Sequence, residues 1–145
     1  MRALTVRQPW AAAIVLAGKD VENRTWATSH RGLLAVHAGK VLPREVTSDL
    51  VADIHNVTGV RLRPLATGAI IGVVDLVDCH RATDCAGEAG LCSQWAEDGA
   101  SAWHWVLEAP RPVDPAVPAT GALRLWRPSA PAIAAVTARL QGGAA

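Results

Sequence analysis

Residues 68–79 read Gly68-Ala69-Ile70-Ile71-Gly72-Val73-Val74-Asp75-Leu76-Val77-Asp78-Cys79. The run is apolar at nearly every position and shows no alternation that would leave one face wet. It therefore suits a central strand covered on both sides and is the best candidate for the core of a sheet. Asp75 interrupts it on the face shared with Ile71, Val73 and Val77. An ionised carboxylate buried alone costs several kcal/mol, so Asp75 needs a cation, for which Lys19 or Arg24 would serve, or must lean out to solvent.

Upstream, residues 3–6 read as a short strand, Pro9 opens a helix that reaches Ala17, and Gly18 closes it. Residues 21–26 and 32–38 read as two strands of a hairpin around the polar stretch 28–31. Pro43 starts a second helix to about His55, with Val46, Leu50, Val51 and Ile54 on one face. Downstream, residues 82–98 contain Gly87, Gly90 and four acids and read as an exposed excursion. Residues 102–108 form another strand, from which Pro110, Pro112, Pro115 and Pro118 force an extended connection to a strand at 122–126. Residues 131–141 form the last helix. This irregular order of short strands and helices argues for an α+β fold, a mixed barrel-like sheet with attached helices, over a doubly wound one.

The chain has 145 residues, 50% hydrophobic and 19% charged, with a formal net charge of +1. These values fit one globular domain over residues 1–141 with a frayed tail at 142–145, and they exclude intrinsic disorder. The apolar run at residues 11–17 falls far short of the ~20 residues that cross a bilayer, and its bounds at Pro9 and Gly18 make it a helix rather than a secretory segment. No membrane association is expected, and the cytoplasm is the expected compartment. Cys79, Cys85 and Cys92 are odd in number and lack paired C-x-x-C spacing, so they read as free thiols. The alternative, a Cys/His metal site recruiting His80 or His104, matches none of the familiar zinc spacings. No metal and no cofactor is expected, since the sequence also lacks GxGxxG and P-loop signals.

Charge is uneven: the first 31 residues carry five basic side chains against two acidic ones. Such a local basic patch can meet phosphate without raising the overall pI. On an extended chain Glu22, Arg24 and Trp26 share one side and form a polar ledge. A lysine beside a partly buried acid, Lys19 with Asp75, can move a proton because lysine changes protonation where arginine does not. All six aromatic residues are Trp. Trp103 and Trp105 at period 2 read as core, whereas Trp10 and Trp26, near the basic patch, are better placed to stack on a base. His37, which ends an apolar strand, reads as structural.

The order Gln8-Pro9-Trp10, then Gly18-Lys19 with Glu22 and Arg24, then Arg31-Gly32 before an apolar strand, resembles the ASCH domain family of the PUA-like superfamily. The strand at 68–79, the Glu108-Ala109-Pro110 strand end and the terminal Gly121-Ala122-Leu123-Arg124-Leu125-Trp126 also look like stretches of bacterial members. The resemblance implies a PUA-like β-barrel with helices packed around it, a cleft between barrel and helices, and an association with RNA or modified nucleobases. Within the family some members bind nucleic acid, some cleave single-stranded RNA, and small bacterial members are amidohydrolases acting on N4-acetylcytidine. The amidohydrolase lysine falls at Lys19 and its acid at Asp75, while Glu22 occupies the place of the nucleophilic threonine.

The expected function is binding of RNA or a nucleotide-like ligand through Lys19, Glu22, Arg24 and Arg31, with Trp10 and Trp26 stacking on a base. A hydrolase, either a ribonuclease or an amidohydrolase, comes second, with Lys19, Glu22 and Asp75 as its catalytic groups. A protein-interaction adaptor comes third and calls for an exposed apolar patch.

Overall fold

All but the first residue of the apolar run at 68–79 lie in a strand that is paired on both sides. The computed structural model describes residues 1–85 and 90–143. Its strands are β1 (Arg2–Val6), β2 (Val21–Arg24), β3 (Gly32–Ala38), β4 (Ala69–Arg81), β5 (Trp103–Pro118) and β6 (Leu125–Trp126). Its α-helices are α1 (Trp10–Leu16), α2 (Arg44–Thr58) and α3 (Ala130–Gly142). The six strands form one mixed sheet, a half-barrel in the order β2-β5-β4-β3-β1-β6, in which β1 and β3 run parallel and the other neighbours antiparallel.

Strand β4 is flanked by β3 and β5, and its Ala69, Ile70, Val73, Val74 and Leu76 are buried, as a two-sided strand requires. One core forms around Val74, Leu76 and Trp105 with Ile14 and Val15 of α1; a second forms around Ile70, Val73 and Val113 with Val136 of α3. Helix α1 approaches β4 so closely that a Cβ on Gly72 would stand 2.6 Å from Val15 Cγ2 and 3.0 Å from the Arg111 carbonyl oxygen. A third cluster joins Ala12 and Ala13 of α1 to Ile54 of α2 and to Leu62.

Three expectations are corrected. The hairpin between residues 21–26 and 32–38 does not form: β2 pairs with β5, with Glu22 opposite Trp105, and β3 pairs with β1 and β4. Secondly, the proline-rich segment after residue 108 is not a connection but the continuation of β5, which keeps Pro112 opposite Gly72 and Pro118 opposite Ala69. Register shifts along the β4 and β5 pair absorb positions where proline has no N–H to offer. Thirdly, α3 runs to Gly142, so the expected frayed tail is helical at its first residue, and residues 144–145 lie outside the described ones. Gly87 and Glu88 of the expected excursion also lie outside them. Among the described residues no helix is long and apolar enough to cross a membrane.

Candidate functional site

Helix α1 delivers Lys19. Gln8, itself buried, fixes the start of the helix: its Oε1 accepts from Ala12 N at 3.0 Å and its Nε2 donates to the Ala66 carbonyl at 2.8 Å. Residues Ala11, Ala12, Ala13, Ile14 and Val15 are all buried. At the other end Gly18 takes φ +71°, a left-handed turn that glycine makes without a Cβ penalty, and Lys19 N donates back to the Ala13 carbonyl at 3.1 Å. The chain then enters β2 directly, locked to β5 where Leu107 N donates to the Asp20 carbonyl at 2.8 Å.

The Lys19 side chain is only 4% exposed, and an ammonium at that depth requires compensation. Its Nζ lies 3.3 Å from Glu22 Oε2 and donates to the Val21 carbonyl. The faces of Trp10 and Trp95 flank it, with ring centroids 5.7 and 5.9 Å from Nζ, within the range of cation–π attraction. Glu22 Oε1 in turn meets Arg24 Nη2 at 3.0 Å, and the same nitrogen donates to the Thr5 carbonyl at 2.9 Å. Lys19, Glu22 and Arg24 thus form a chain of alternating charge, with the lysine its most buried member.

The cleft has a volume of about 540 Å³ and three walls. Trp10, Lys19, Glu22 and Asn23 form one, Leu50, Asp53, Ile54 and Val57 of α2 the second, and residues 94–97 the third. Asn23 secures the third wall: its Nδ2 donates to the Trp95 carbonyl at 2.9 Å and its Oδ1 accepts from Glu97 N at 2.9 Å. Ser93 Oγ donates to Asp20 Oδ1 and accepts from Trp95 N. The Trp10 and Trp95 rings meet edge to face at 6.4 Å. Trp95 Nε1 is buried with no acceptor among the described residues.

Of the residues singled out in the sequence, Trp10, Lys19 and Glu22 meet in this cleft. Arg24 stands behind Glu22 and does not line it. Arg31, expected to return through the hairpin that is absent, faces elsewhere, with Nη2 at 3.8 Å from Asp78 and Nη1 donating to the Thr28 and His30 carbonyls. Trp26 packs edge to face on buried Trp105 at 4.6 Å, with the Arg124 guanidinium on its ring. Asp75 pairs not with Lys19 or Arg24 but with Arg111, at 3.4 Å on the open side of the sheet, where an ion pair is worth little. Trp95, Asn23 and Asp53 were not singled out. Trp95 is the one tryptophan in the polar stretch 82–98, a large apolar group that needed something to pack on.

A second cavity, of about 870 Å³, lies beside Thr5, His37, Lys40 and Gly121. Both nitrogens of His37 are occupied, by Thr5 Oγ1 at 3.2 Å and the Ala119 carbonyl at 3.0 Å, which is a structural role. Burial holds its pKa below the ordinary histidine value, against the opposing pull of the Ala119 hydrogen bond. A separate group, His80, Cys85, Cys92 and His104, gathers four metal-ligating side chains, none of which lines either cavity. Cys79 is not one of them.

The sequence profile of the ASCH domain matches residues 4–116. Activating signal cointegrator 1 of Homo sapiens is 42% identical over 81 residues, covering 52% of this chain and 14% of that protein. The Mus musculus protein of the same name is 38% identical over 80 residues with the same coverage, so the chain spans only 14% of the length of these relatives. The crystal structure of ASCH from Zymomonas mobilis superposes with a TM-score of 0.56 over 94% of this chain and 93% of that one, at 14% identity. A single-residue mutant of the Zymomonas mobilis protein gives a TM-score of 0.52 at 15% identity, over 97% and 96% of the two chains. Both structural likenesses concern the fold.

Proposed function

Because the chain belongs to the ASCH domain family and carries its PUA-like half-barrel, we propose that the cleft at Lys19 binds a nucleobase, presented by single-stranded RNA or by a free nucleoside. The observation that carries this reading is the buried Lys19 and Glu22 pair set between the faces of Trp10 and Trp95. Aromatic faces accept the flat body of a base, and a donor beside an acceptor suits the mixed hydrogen-bonding edge of one. The volume of about 540 Å³ falls within the range of small-molecule sites.

Charge separates the base from the phosphate. Among the described residues Lys19 is the one basic side chain lining the cleft, against Glu22, Asp53 and Glu97. A phosphate gains little there, and Arg24 and Arg31, spent on Glu22 and Asp78, do not offset the acids. The reading is therefore recognition of the base with few backbone contacts. Titration of tryptophan fluorescence with a panel of nucleosides and short single-stranded RNAs tests it. Saturable quenching by at least one member, lost in Lys19→Ala, is expected; no response from any member at low salt overturns it.

Hydrolysis at the same site is a second reading, favoured by the 3.3 Å approach of Lys19 Nζ to Glu22 Oε2. A lysine and a carboxylate at this distance can pass a proton to or from a bound water or a ribose 2′-hydroxyl. Asp75 stands with Arg111 outside the cleft, so the acid of this version is Glu22. Mass spectrometry of a mixed RNA and modified-nucleoside pool after incubation reads it out: new products that vanish with Glu22→Gln support it, and an unchanged pool removes it.

A further inference from the structure

We infer that His80, Cys85, Cys92 and His104 form a four-coordinate zinc site, which ties the segment after Cys92 to strands β4 and β5. One ligand atom from each of the four lies within 4.8 Å of all the others. The pairing of β4 with β5 sets His80 directly opposite His104, their rings edge to face at 5.4 Å. Cys85 follows a short 3-10 turn at Ala82–Asp84, and Cys92 returns beside it, its backbone N–H donating to Cys85 Sγ at 3.0 Å. Cys92 Sγ in turn lies 3.5 Å from His104 Nδ1.

The orientation of both imidazoles argues for a cation. His80 uses Nδ1 for Asp78 Oδ2 at 2.6 Å, leaving Nε2 buried with no hydrogen-bond partner among the described residues. His104, wholly buried, donates from Nε2 to the Glu97 carbonyl at 2.7 Å, which leaves the lone pair on Nδ1 facing Cys92. In each ring one nitrogen is held by an acceptor and the other is free to ligate, one through a carboxylate and one through a backbone carbonyl, the usual outer support of a metal-bound histidine. Zinc then bonds to four atoms, the two thiols release their protons to solvent, and the two thiolates balance the charge of the ion. Two sulfurs and two nitrogens around a closed centre select zinc over the oxygen-seeking cations. Zinc bonds of about 2.0–2.3 Å draw the four groups inward from their present spacing. A Cys85–Cys92 disulfide is the competing use of the sulfurs, but it leaves His80 Nε2 orphaned.

The site lies beside the wall of the cleft, because the chain runs from Cys92 straight into Ser93, Trp95 and Glu97, and His104 itself holds the Glu97 carbonyl. Zinc at this point fixes the wall whatever the cleft binds, so the inference stands apart from the ligand reading.

Metal analysis of the full chain, purified under reducing conditions without added metal, is expected to give one zinc per chain. Stripped of metal and titrated with Co2+, the reduced protein should show one equivalent of tetrahedral d–d bands with thiolate-to-cobalt charge transfer, bleached by Zn2+. Cys92→Ser, at an exposed position, should lose the charge-transfer intensity and at least tenfold in affinity, while Cys79→Ser matches the wild type. A reduced wild-type chain that takes up neither zinc nor cobalt overturns the inference, and so does a Cys92→Ser variant with an unchanged cobalt spectrum. A Cys85–Cys92 disulfide that, once reduced, leaves a protein without metal affinity overturns it equally.

Discussion

Asn23 holds Trp95 by its backbone. Both ends of the Asn23 amide are spent on the backbone of residues 95 and 97, at 2.9 Å each, and this contact sets the indole against Trp10 and Lys19. An edge strand therefore serves the cleft twice over: β2 supplies Lys19's partner Glu22 and, in the next residue, the anchor of the facing wall.

Asn23→Ala should loosen the wall without disturbing the sheet. Two hydrogen bonds are lost, one from a part-buried side chain, at about 1 kcal/mol each. A fall in unfolding free energy of about 1–2 kcal/mol in denaturant titration is expected, together with a larger proportional loss of ligand affinity. Unchanged binding with reduced stability would mean that the wall does not contribute to recognition.

Gly72→Ala should be costly although its backbone is ordinary. The new Cβ meets Val15 Cγ2 at 2.6 Å and the fixed Arg111 carbonyl at 3.0 Å, so α1 must shift away from β4. Overpacking of this kind costs about 1–3 kcal/mol. Gly142→Ala, where nothing stands within 4 Å, provides the near-neutral control. Thermal unfolding of the two variants side by side checks the difference.

What could be read in the chain was local, and what escaped was pairing at a distance. Residues 68–79 announce a covered strand because burial on both faces leaves a continuous apolar run. The helices announce themselves through Pro9 and Gly18 and through Pro43, while the Ser129 hydroxyl that caps α3 by accepting from Ala132 N emerges only in the fold. Nothing within residues 21–26 specifies that their partner is Trp103–Val106 rather than the nearby strand at 32–38, so the hairpin was the economical expectation and Arg31 was carried with it into the site. Trp95 was hidden for the same reason: its anchor, Asn23, lies more than seventy residues earlier. Asp75 misled differently. Apolar neighbours in sequence suggested burial, yet the side chain is 40% exposed and meets Arg111 across the strand pair.

His37 makes stability depend on pH. Burial holds its pKa below the ordinary value of about 6.5, partly countered by the hydrogen bond to Ala119. Above that value the ring is neutral in both states and its contribution is complete. As the pH falls below about 6.5 the unfolded chain takes up the proton first, so stability declines until the folded-state pKa is passed. The gap in unfolding free energy between wild type and His37→Gln should therefore narrow as pH is lowered from neutrality. A gap that widens instead would mean that the ring is protonated more readily in the fold.

Lys19 should govern binding in a way that salt hardly touches. A polyelectrolyte contact between protein and single-stranded RNA adds about 0.7 to the magnitude of the log–log salt slope for each phosphate neutralised. Among the described residues Lys19 is the one basic side chain lining the cleft, and it already faces Glu22, so the slope for a short RNA should be about 0.7 or less. Lys19→Ala should weaken RNA and free nucleoside alike, at least tenfold, because it removes a base contact rather than a phosphate contact. Its cost in stability should be about 1–2 kcal/mol, below the about 3–5 kcal/mol of a stranded buried charge, because Glu22 keeps Arg24 at 3.0 Å. Lys40→Ala, at the second cavity, should leave both ligands bound as in the wild type. Titrations at several salt concentrations with both variants separate the outcomes. A slope several times steeper, lowered by Lys40→Ala and not by Lys19→Ala, would move RNA recognition off the cleft and onto the surface around the second cavity.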